Sequence, residues 1–503
     1  MFIELASTLD MDIETAAVVA ASMTNVTTAA SVDTSRSFGE VSVASVSLLG
    51  QKLTWVDGDS YLERHAFGLS IASSGWVPAF RAAIKAGQVP VFVHTHPGGK
   101  ALFSSYDDVV DASLAVAARD LGAPAYASVV VAGSSEVPAV IARMCMFDGA
   151  SGDETNPQER DPEIYLHVMD AIRIAGPALR MMLPPLDDLE EDNASADSAA
   201  SSAVSSAFDR QVRMLGSQGQ RMLGVINVAI VGAGGTGSAV AVQLARIGVG
   251  SICLIDDDEV TAPTPTRGHG MRQRDVGRPK VEVLGEHLRD IGLGTRVMGV
   301  QEPLHSPPAI QAIQQADVVF SCVDGHGARL ILNRFAYAHL AVVIDLAVLV
   351  SVSPKGAEVD ERVTWIAPGT ACLLCRGRLD ATQAYAENLD PEERKRLAGE
   401  GYVQAAETPQ PAIVTLTTLV AALAASEFLL RLVGIGSSAA TELLLRPHVG
   451  ELRRNRIPAR TGCFCTEPRF LGRGQKDPYL DLMWPQPPLR TRDGGPSAGG
   501  GDD

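Results

Sequence analysis

A glycine-rich turn between an apolar stretch and an amphipathic one constrains the fold of this chain more than any other feature. Residues 228–231 are predicted to form a strand and residues 238–246 a helix. Four glycines occupy the connection: Gly232, Gly234, Gly235 and Gly237. Glycine permits a tight turn there and a close approach of the backbone to phosphate groups at the helix N-terminus. The turn therefore predicts a β-α-β unit that binds a nucleotide.

Three further apolar strands define the fold class. They are predicted at residues 251–255, 318–322 and 341–345, and helical stretches separate them. Strands that alternate with helices favour a parallel, doubly wound sheet. We therefore predict an α/β chain whose C-terminal domain, residues 208–470, is Rossmann-like.

Charged residues near the ends of these strands indicate the chemistry. Asp256 ends the second strand, where a carboxylate can bind a ribose hydroxyl. Lys280 and Arg267 can neutralise a triphosphate, and Asp324 can hold magnesium. The glycine turn alone is typical of an NAD-dependent oxidoreductase, which stays open as an alternative. Two basic groups and a carboxylate suit phosphate chemistry better than hydride transfer.

This order of residues resembles the ThiF/MoeB/HesA superfamily, which includes ubiquitin-activating enzymes, over about residues 208–465. The resemblance implies adenylation of the C-terminal glycine of a ubiquitin-like or sulfur-carrier protein, with ATP and Mg²⁺. It also implies a homodimer in which Arg210 reaches across to the phosphates and takes part in catalysis. The residues implied for binding ATP or its metal are Gly232, Gly234, Gly235, Gly237, Asp256, Asp258, Arg267, Lys280 and Asp324.

One segment departs from the superfamily pattern. Where the superfamily commonly has Ser-Asn-Leu-Asn-Arg-Gln, this chain has Pro-Thr-Pro-Thr-Arg-Gly at residues 263–268. Arg267 keeps the arginine, but Thr264 replaces an asparagine that contacts phosphate. A threonine hydroxyl can still donate one hydrogen bond. The departure leaves open reduced or altered adenylation, and with it a non-catalytic scaffold that only binds ubiquitin-like tails.

A second group of polar residues lies earlier in the chain. His94 and His96 are two apart on a predicted strand, so both imidazoles project from one face. Ser104 occupies the N-cap position of a predicted helix, and Asp107 lies in its first turn. Two neutral imidazoles and a carboxylate can hold zinc and leave a fourth position for water, while the serine can donate to an oxyanion. A helix-capping box next to a surface histidine pair is the alternative.

The complete pattern, His94-x-His96-Pro97 followed by Ser104-x-x-Asp107, resembles the JAB/JAMM metalloprotease family over about residues 1–150. The resemblance implies that the two histidines and the aspartate bind a catalytic zinc, that the serine assists, and that an upstream glutamate is the general base. The implied substrate is the tail of a ubiquitin-like protein or an isopeptide to it.

The general base must come from elsewhere in the sequence. Glu14 is the first choice, because it opens an apolar stretch, residues 11–23, that is predicted to be a helix or the entry to a strand. Glu40 and Glu63 are the alternatives.

Four of the seven cysteines form two close pairs, Cys372-x-x-Cys375 and Cys463-x-Cys465. Four thiolates suit a closed structural zinc site, and the superfamily carries paired cysteines at corresponding places. Disulfides or free core cysteines are the alternative. No cysteine lies between the two pairs. We therefore predict that the enzyme forms an acyl-adenylate but has no obvious cysteine for a thioester. The acyl group would then pass from the adenylate to a sulfur donor or to a conjugating enzyme.

The composition limits the remaining function classes. A net charge of −17 argues against a nucleic-acid-binding surface, which would be basic. The most apolar stretch, residues 411–435, contains polar and charged side chains and is predicted to be a buried helix rather than a membrane span. No signal peptide is apparent, so we expect a cytoplasmic protein.

A shift in composition divides the chain. Residues 184–207 pass from an acidic patch into a tract of alanine and serine that cannot form a core, which predicts a flexible linker. Residues 1–150 would form the metalloprotease-like domain, residues 151–183 a helical connector, and residues 471–503 a largely disordered tail.

Together these features predict a bifunctional enzyme of a bacterial-type ubiquitin-like or sulfur-carrier system. One domain would cleave at the tail of a ubiquitin-like protein, and the other would adenylate its terminal glycine. Activation of a sulfur carrier for thiocarboxylate-dependent biosynthesis is the closest alternative.

Overall fold

The structure is a computed structural model of the chain. It describes residues 6–11, 13–26, 45–65, 68–134, 138–147, 166–183, 206–354, 356–387, 389, 391–400, 411–436 and 439–474. The predicted linker up to residue 205, the tail from residue 475 and the candidate base Glu40 lie outside these residues.

The N-terminal part of the chain folds around an antiparallel-rich sheet. Its strands are β1 (Ala16–Val26), β2 (Ser45–Trp55), β3 (Tyr61–His65), β4 (Gly68–Ile71), β5 (Val89–Pro97), β6 (Ala125–Gly133), β7 (Pro138–Met146) and β8 (His167–Val168). Its helices are α1 (Val77–Lys85) and α2 (Ser105–Asp120). Within the described residues, six strands form one sheet in the order β2-β1-β5-β6-β7-β8, in which only β5 and β6 are parallel, while β3 and β4 form a separate hairpin.

For residues 11–23 the sequence left open a helix or the entry to a strand, and the structure has the strand β1 from Ala16 onward. This strand lies between β2 and β5, and both of its faces are covered. Val19 packs in the core on one face, and Val18 packs against Phe80 of α1 on the other. A strand that is buried on both faces has an unbroken apolar sequence, which periodicity alone does not distinguish from a buried helix.

A short hairpin replaces the predicted helical connector. The described part of residues 151–183 contains β8, β9 (Ile172–Ala175) and β10 (Leu179–Met182) and has no helix. Leu179 is buried in the core of the C-terminal unit. The Trp365 indole N–H donates to the Gly176 carbonyl in the hairpin turn at 2.7 Å. The hairpin of β9 and β10 therefore packs against the C-terminal unit, whereas β8 pairs with β7 in the N-terminal sheet.

The C-terminal unit confirms the predicted doubly wound sheet. Its strands are β11 (Asn227–Val231), β12 (Ser251–Ile255), β13 (Arg296–Val300), β14 (Val318–Ser321), β15 (Val342–Ser353), β16 (Gly356–Ile366), β17 (Glu442–Arg446) and β18 (Glu451–Asn455). Among the described residues they form one sheet in the order β13-β12-β11-β14-β15-β16-β17-β18. The first five are parallel, and β15 to β18 are successively antiparallel.

Helices cover both faces of this sheet. They are α3 (Asp209–Val225), α4 (Gly235–Arg246), α5 (Lys280–Asp290), α6 (Pro307–Gln314), α7 (His326–Ala338), α8 (Ala381–Glu387), α9 (Pro391–Gly399) and α10 (Val414–Leu432). By length and composition, α10 is long and apolar enough to cross a membrane. Val420, Ala424 and Phe428 on α10 are nevertheless fully buried in the core, as expected for the predicted core helix.

Candidate functional sites

The pairing of β1 with β5 brings a distant glutamate to the histidine pair. Ala16 pairs with His94 in an antiparallel register. Continued by two residues, the same register places Glu14 opposite His96. Residues two apart share a face of a strand, so Glu14 and the two histidines project to the same side.

The three predicted zinc ligands converge on one point. His94 Nε2 lies 3.1 Å from His96 Nε2 and 3.1 Å from Asp107 Oδ1. His96 Nε2 lies 3.8 Å from Asp107 Oδ2. Ligand atoms at the usual distance from a tetrahedral zinc stand about 3.3 Å from one another. The donor set and its spacing therefore fit zinc.

The predicted capping box is present, and it holds one of these ligands. Asp107 Oδ2 accepts hydrogen bonds from the Ser104 N–H at 2.6 Å and from the Ser104 hydroxyl at 2.7 Å. The Asp107 N–H in turn donates to Ser104 Oγ at 3.2 Å. The capping and metal-binding interpretations are thus compatible, because Oδ2 is fixed by the cap while Oδ1 faces His94. The single hydroxyl hydrogen of Ser104 points to Asp107 rather than into open space.

The two carboxyl groups of this site differ in their protonation. Burial raises the pKa of Glu14 to about 7, which attraction to His94 opposes and repulsion from Asp107 reinforces. For Asp107, burial alone would raise the pKa, but the hydrogen bond and charge of His94 and the donors of Ser104 hold it well below its usual range. One carboxyl group can therefore exchange a proton near neutral pH while the other stays ionised as a ligand.

The β3–β4 hairpin supports Glu14 through residues that the sequence pattern did not reveal. Arg64 Nε donates to the Glu14 carbonyl at 2.8 Å, and its Nη2 donates to Thr15 Oγ1 at 2.8 Å. The Tyr61 hydroxyl accepts a hydrogen bond from the Ala16 N–H at 2.9 Å. The alternative base Glu63 lies on this hairpin but is exposed. No spacing rule links this hairpin to the histidine motif.

In the C-terminal unit, the glycine turn joins β11 to α4 as predicted. Gly232 has φ +91°, and a Cβ atom there would lie 2.6 Å from the Cys322 carbonyl oxygen. A Cβ atom on Gly237 would lie 1.8 Å from the Gly232 carbonyl oxygen. Gly234 has no such neighbour within 4 Å and forms the N-cap of α4. The turn therefore leaves the N-terminus of α4 accessible to an anion.

Asp256 and Lys280 meet beside this turn. The Ala233 N–H donates to Asp256 Oδ2 at 2.6 Å. Lys280 Nζ lies 3.4 Å from Asp256 Oδ1 and 2.6 Å from Asp258 Oδ2. Burial raises the pKa of Asp256, and the charge of Lys280 with two backbone N–H groups offsets part of that rise. Three of the predicted nucleotide-binding side chains are thus brought together.

The segment that departs from the superfamily pattern carries Arg267 to the same place. The Arg267 side chain lies 3.2 Å from the position of a Cβ atom on Gly235. Thr264 is buried, and its hydroxyl bonds to the Thr261 N–H at 3.0 Å and to the Thr261 hydroxyl at 2.9 Å. The hydroxyl therefore stabilises its own loop and does not stand in for the superfamily's asparagine.

Helix α10 contributes to this site through residues that the sequence did not single out. Thr417 Cγ2 lies 3.3 Å from the position of a Cβ atom on Gly235. Thr418 Oγ1 lies 3.0 Å from His269 Nε2, and the His269 N–H donates to Ser238 Oγ at 2.9 Å. The N-terminal part of α10 therefore fixes the loop that carries Arg267.

Two predicted residues lie apart from this group. Asp324 follows β14 and is exposed just before α7 begins. Arg210 is exposed on α3, and the neighbouring Gln211 side chain reaches the Arg246 carbonyl at the C-terminal end of α4. The glycine turn lies at the opposite end of α4, about 16 Å away. Arg210 is therefore not brought to the phosphate turn of its own chain.

The two cysteine pairs come together as a four-sulfur cluster. Cys372 Sγ lies 3.6 Å from Cys463 Sγ, and Cys375 Sγ lies 3.7 Å from Cys465 Sγ. Thiolates around a tetrahedral zinc stand about 3.8 Å apart, whereas a disulfide needs about 2.05 Å. Burial raises the pKa of Cys375, but hydrogen bonds from the Arg460 N–H and the neighbouring thiols lower that pKa to about 7. The arrangement fits a structural zinc and not disulfides.

The comparison with protein-family models concerns the C-terminal unit. The model of the ThiF family matches residues 208–464. The chain is 33% identical over 125 residues to the adenylyltransferase and sulfurtransferase uba4 of Aspergillus niger, which is 25% of this chain and 26% of that protein. It is 28% identical over 193 residues to the sulfur carrier protein ThiS adenylyltransferase of Escherichia coli K12, which is 38% of this chain and 68% of that protein.

Solved structures with similar folds include Escherichia coli MccB with succinimide. The likeness has a TM-score of 0.41 at 19% identity and covers 51% of this chain and 73% of that chain. Of the uba4 relative from Aspergillus niger, the chain spans only about a quarter of the length.

Proposed function

Because this chain belongs to the ThiF family, we propose that residues 208–464 adenylate the C-terminal glycine of a small carrier protein. In this reaction a carboxylate oxygen of the glycine attacks the α-phosphorus of ATP. The new bond joins oxygen to phosphorus, and pyrophosphate leaves as the bond between the α- and β-phosphates breaks. The observation that carries the proposal is the glycine turn at the N-terminus of α4, flanked by Arg267 and by the Asp256–Lys280 pair.

Each residue has a part that follows from its position. The N–H groups of the turn would bind phosphate oxygens, while Arg267 and Lys280 would neutralise the charge that builds up on the leaving pyrophosphate. Lys280 would exchange its present contact with Asp258 for a phosphate. Asp324 offers an exposed carboxylate at a strand end, which suits the oxygen-rich coordination of Mg²⁺. Arg210 would act on the site of a second copy in a homodimer.

A sulfur carrier is the favoured substrate class. Both curated relatives named above carry sulfur-transfer or sulfur-carrier terms in their names. The chain also offers no cysteine between Cys375 and Cys463 for a thioester. These observations support activation for thiocarboxylate synthesis over activation for conjugation to a target protein.

Exchange of radioactive pyrophosphate into ATP, in the presence of a sulfur carrier with a C-terminal glycine, tests this proposal. We expect exchange with the wild-type chain and a loss of about 100-fold or more in K280A, since Lys280 acts on the transition state. R274A is the matched control, because Arg274 is exposed on the same loop. A folded wild-type protein without exchange would refute adenylation and support the scaffold alternative.

We also propose that the N-terminal unit is a zinc-dependent hydrolase acting on the tail of such a carrier. His94, His96 and Asp107 would hold the metal, which would supply Lewis acidity when bound. Glu14 would take the proton from the attacking water and return it to the leaving amine. Ser104 would hold Asp107 in place, and it would serve as an oxyanion donor only after exchanging its present hydrogen bond.

Cleavage of a carrier that is extended beyond its terminal glycine tests this second activity. We expect E14Q to abolish cleavage without loss of bound zinc, because glutamine has the shape of glutamate but cannot accept the proton. E63Q is the control, since Glu63 is exposed and was an alternative base. Full cleavage by E14Q would reject Glu14 as the base, and a folded wild-type protein that binds no zinc beyond that of the cysteine cluster would reject the hydrolase.

A further inference from the structure

A cluster of charged side chains lies at the carboxyl edge of the parallel strands in the C-terminal unit. Asp345 is fully buried where β15 pairs with the last residue of β14. Its Oδ1 accepts from Arg329 Nε at 3.2 Å and from the Ser321 hydroxyl at 3.0 Å. Its Oδ2 accepts from Arg362 Nη2 at 3.1 Å. One carboxylate thus serves two guanidinium groups, and the cluster has an excess positive charge.

Arg362 is the less fully hydrogen-bonded of the two guanidinium groups. Its side chain is only 13% exposed, and its buried Nε has no hydrogen-bond partner among the described residues. Burying an unpaired charge or an unpaired donor lowers stability. A bound anion would offset the excess charge, so the cluster has the character of a binding site rather than of a structural ion pair.

The cluster is adjacent to the adenylating site. Arg329 Nη2 donates to the Val323 carbonyl at 2.9 Å, directly before Asp324. The sheet order β12-β11-β14-β15-β16 places the glycine turn and Asp256 on one side of β14 and Arg362 on the other. Ligands of such sheets bind beyond the carboxyl ends of the strands. A nucleotide over β11 and β12 would leave the far side of β14, where Arg362 of β16 pairs with Ala347 of β15, to the second substrate.

We propose that Arg362 binds the C-terminal carboxylate of the carrier protein and directs it toward the α-phosphate. This inference rests on the proposed adenylation and assigns the residue that recognises its second substrate. Asp345 and Arg329 act as positioning residues that hold the guanidinium in place. ATP phosphate is the other anion that such a cluster could attract, but Arg267 and Lys280 already face the glycine turn on the far side of β14.

The test compares R362Q with R362K and with the control R446Q. Arg446 Nε pairs with Asp360 Oδ1 at 2.9 Å on the neighbouring antiparallel strands and is half-buried. In the pyrophosphate exchange assay with a Gly-terminated sulfur carrier, R362Q is expected to raise the KM for the carrier by about 10- to 100-fold. The KM for ATP should change less than about twofold, R362K should recover part of the loss, and R446Q should behave as wild type.

A carrier whose C-terminal carboxylate is converted to an amide separates this inference from the proposed function. Wild-type chain should bind the amide more weakly than the acid, whereas R362Q should bind both equally weakly in a calorimetric titration. Equal binding of acid and amide by the wild type would overturn the inference, even if exchange occurs. An R362Q effect on the KM for ATP would instead assign Arg362 to the phosphates. Binding that discriminates acid from amide without any exchange would refute adenylation alone.

Discussion

Replacement of single glycines in the phosphate turn gives a quantitative test of the nucleotide site. Gly237 lies inside α4, where alanine normally gains about 1 kcal/mol over glycine. Here the new methyl carbon would lie 1.8 Å from the Gly232 carbonyl oxygen, so the backbones of Gly232 and Gly237 would have to move apart by more than an ångström. Overpacking of this kind costs about 1–3 kcal/mol when side chains can adjust, and more when they cannot. We therefore expect G237A to be destabilised by at least about 2 kcal/mol net.

Gly234 is the matched control in the same turn. A Cβ atom there meets nothing within 4 Å, and its φ of −74° suits alanine. G234A should change the free energy of unfolding by less than about 0.5 kcal/mol. In a thermal melt G237A should lose roughly 4–8 °C, since 1 kcal/mol corresponds to about 2–4 °C for a domain of this size.

Binding of ATP, measured by calorimetry below both melting temperatures, completes the comparison. G237A should lose ATP binding because the displaced Gly232 carbonyl deforms the turn, while G234A should retain it. If G237A melts and binds ATP like G234A, the close approach of Gly232 and Gly237 is wrong, and with it the assignment of this turn to phosphate binding.

Three other predictions concern stability. R143M should lower the free energy of unfolding by about 3–5 kcal/mol, because Arg143 on β7 pairs with the buried Asp111. R119M, which removes a surface ion pair, should lower it by less than about 1 kcal/mol. Equal effects of the two substitutions in urea denaturation would contradict this prediction. Burial raises the pKa of Glu361 from 4.5 to about 7, so its contribution to stability is present below about pH 4.5 and lost as the pH rises to 7. E361Q should therefore stabilise the protein more at pH 8 than at pH 5 in thermal melts, and a pH-independent difference would refute it. Metal analysis should find that C375S loses the zinc of the cysteine cluster and lowers the melting temperature; unchanged zinc content would exclude that ligand set.

The residues of both sites that are close in sequence could be predicted because local geometry determines their approach. Two histidines two apart on a strand share a face, and a glycine turn between strand and helix fixes where phosphate can bind. The positions of His94, Asp107 and Gly232 follow from these rules. No local rule brings Glu14 to the histidine pair; the antiparallel register of β1 with β5 does.

Other features depend on contacts between distant segments and left no local pattern. Strands β8 to β10 are short, and their partners are distant in sequence, namely β7 for β8 and Trp365 for the turn between β9 and β10, so their own sequence did not distinguish them from a helix. Arg362 and Asp345 belong to different strands, and the excess charge that they form with Arg329 exists only after the sheet is assembled. A position such as Thr264 shows the same limit, because its hydroxyl faces Thr261 and not the nucleotide turn.

Helix α7 connects the predicted residue Asp324 with the Arg362 cluster and with the cysteine cluster. Asp324 precedes it, Arg329 lies one turn inside, and Asn333 follows four residues later on the same face. Asn333 is fully buried, and its Oδ1 accepts the N–H of Leu373, the residue after Cys372, at 2.8 Å. A hydrogen bond therefore links the loop of the cysteine cluster to the helix that carries Arg329 and follows Asp324. Loss of the metal at the cluster should weaken carrier binding as well as stability, since both depend on where α7 begins.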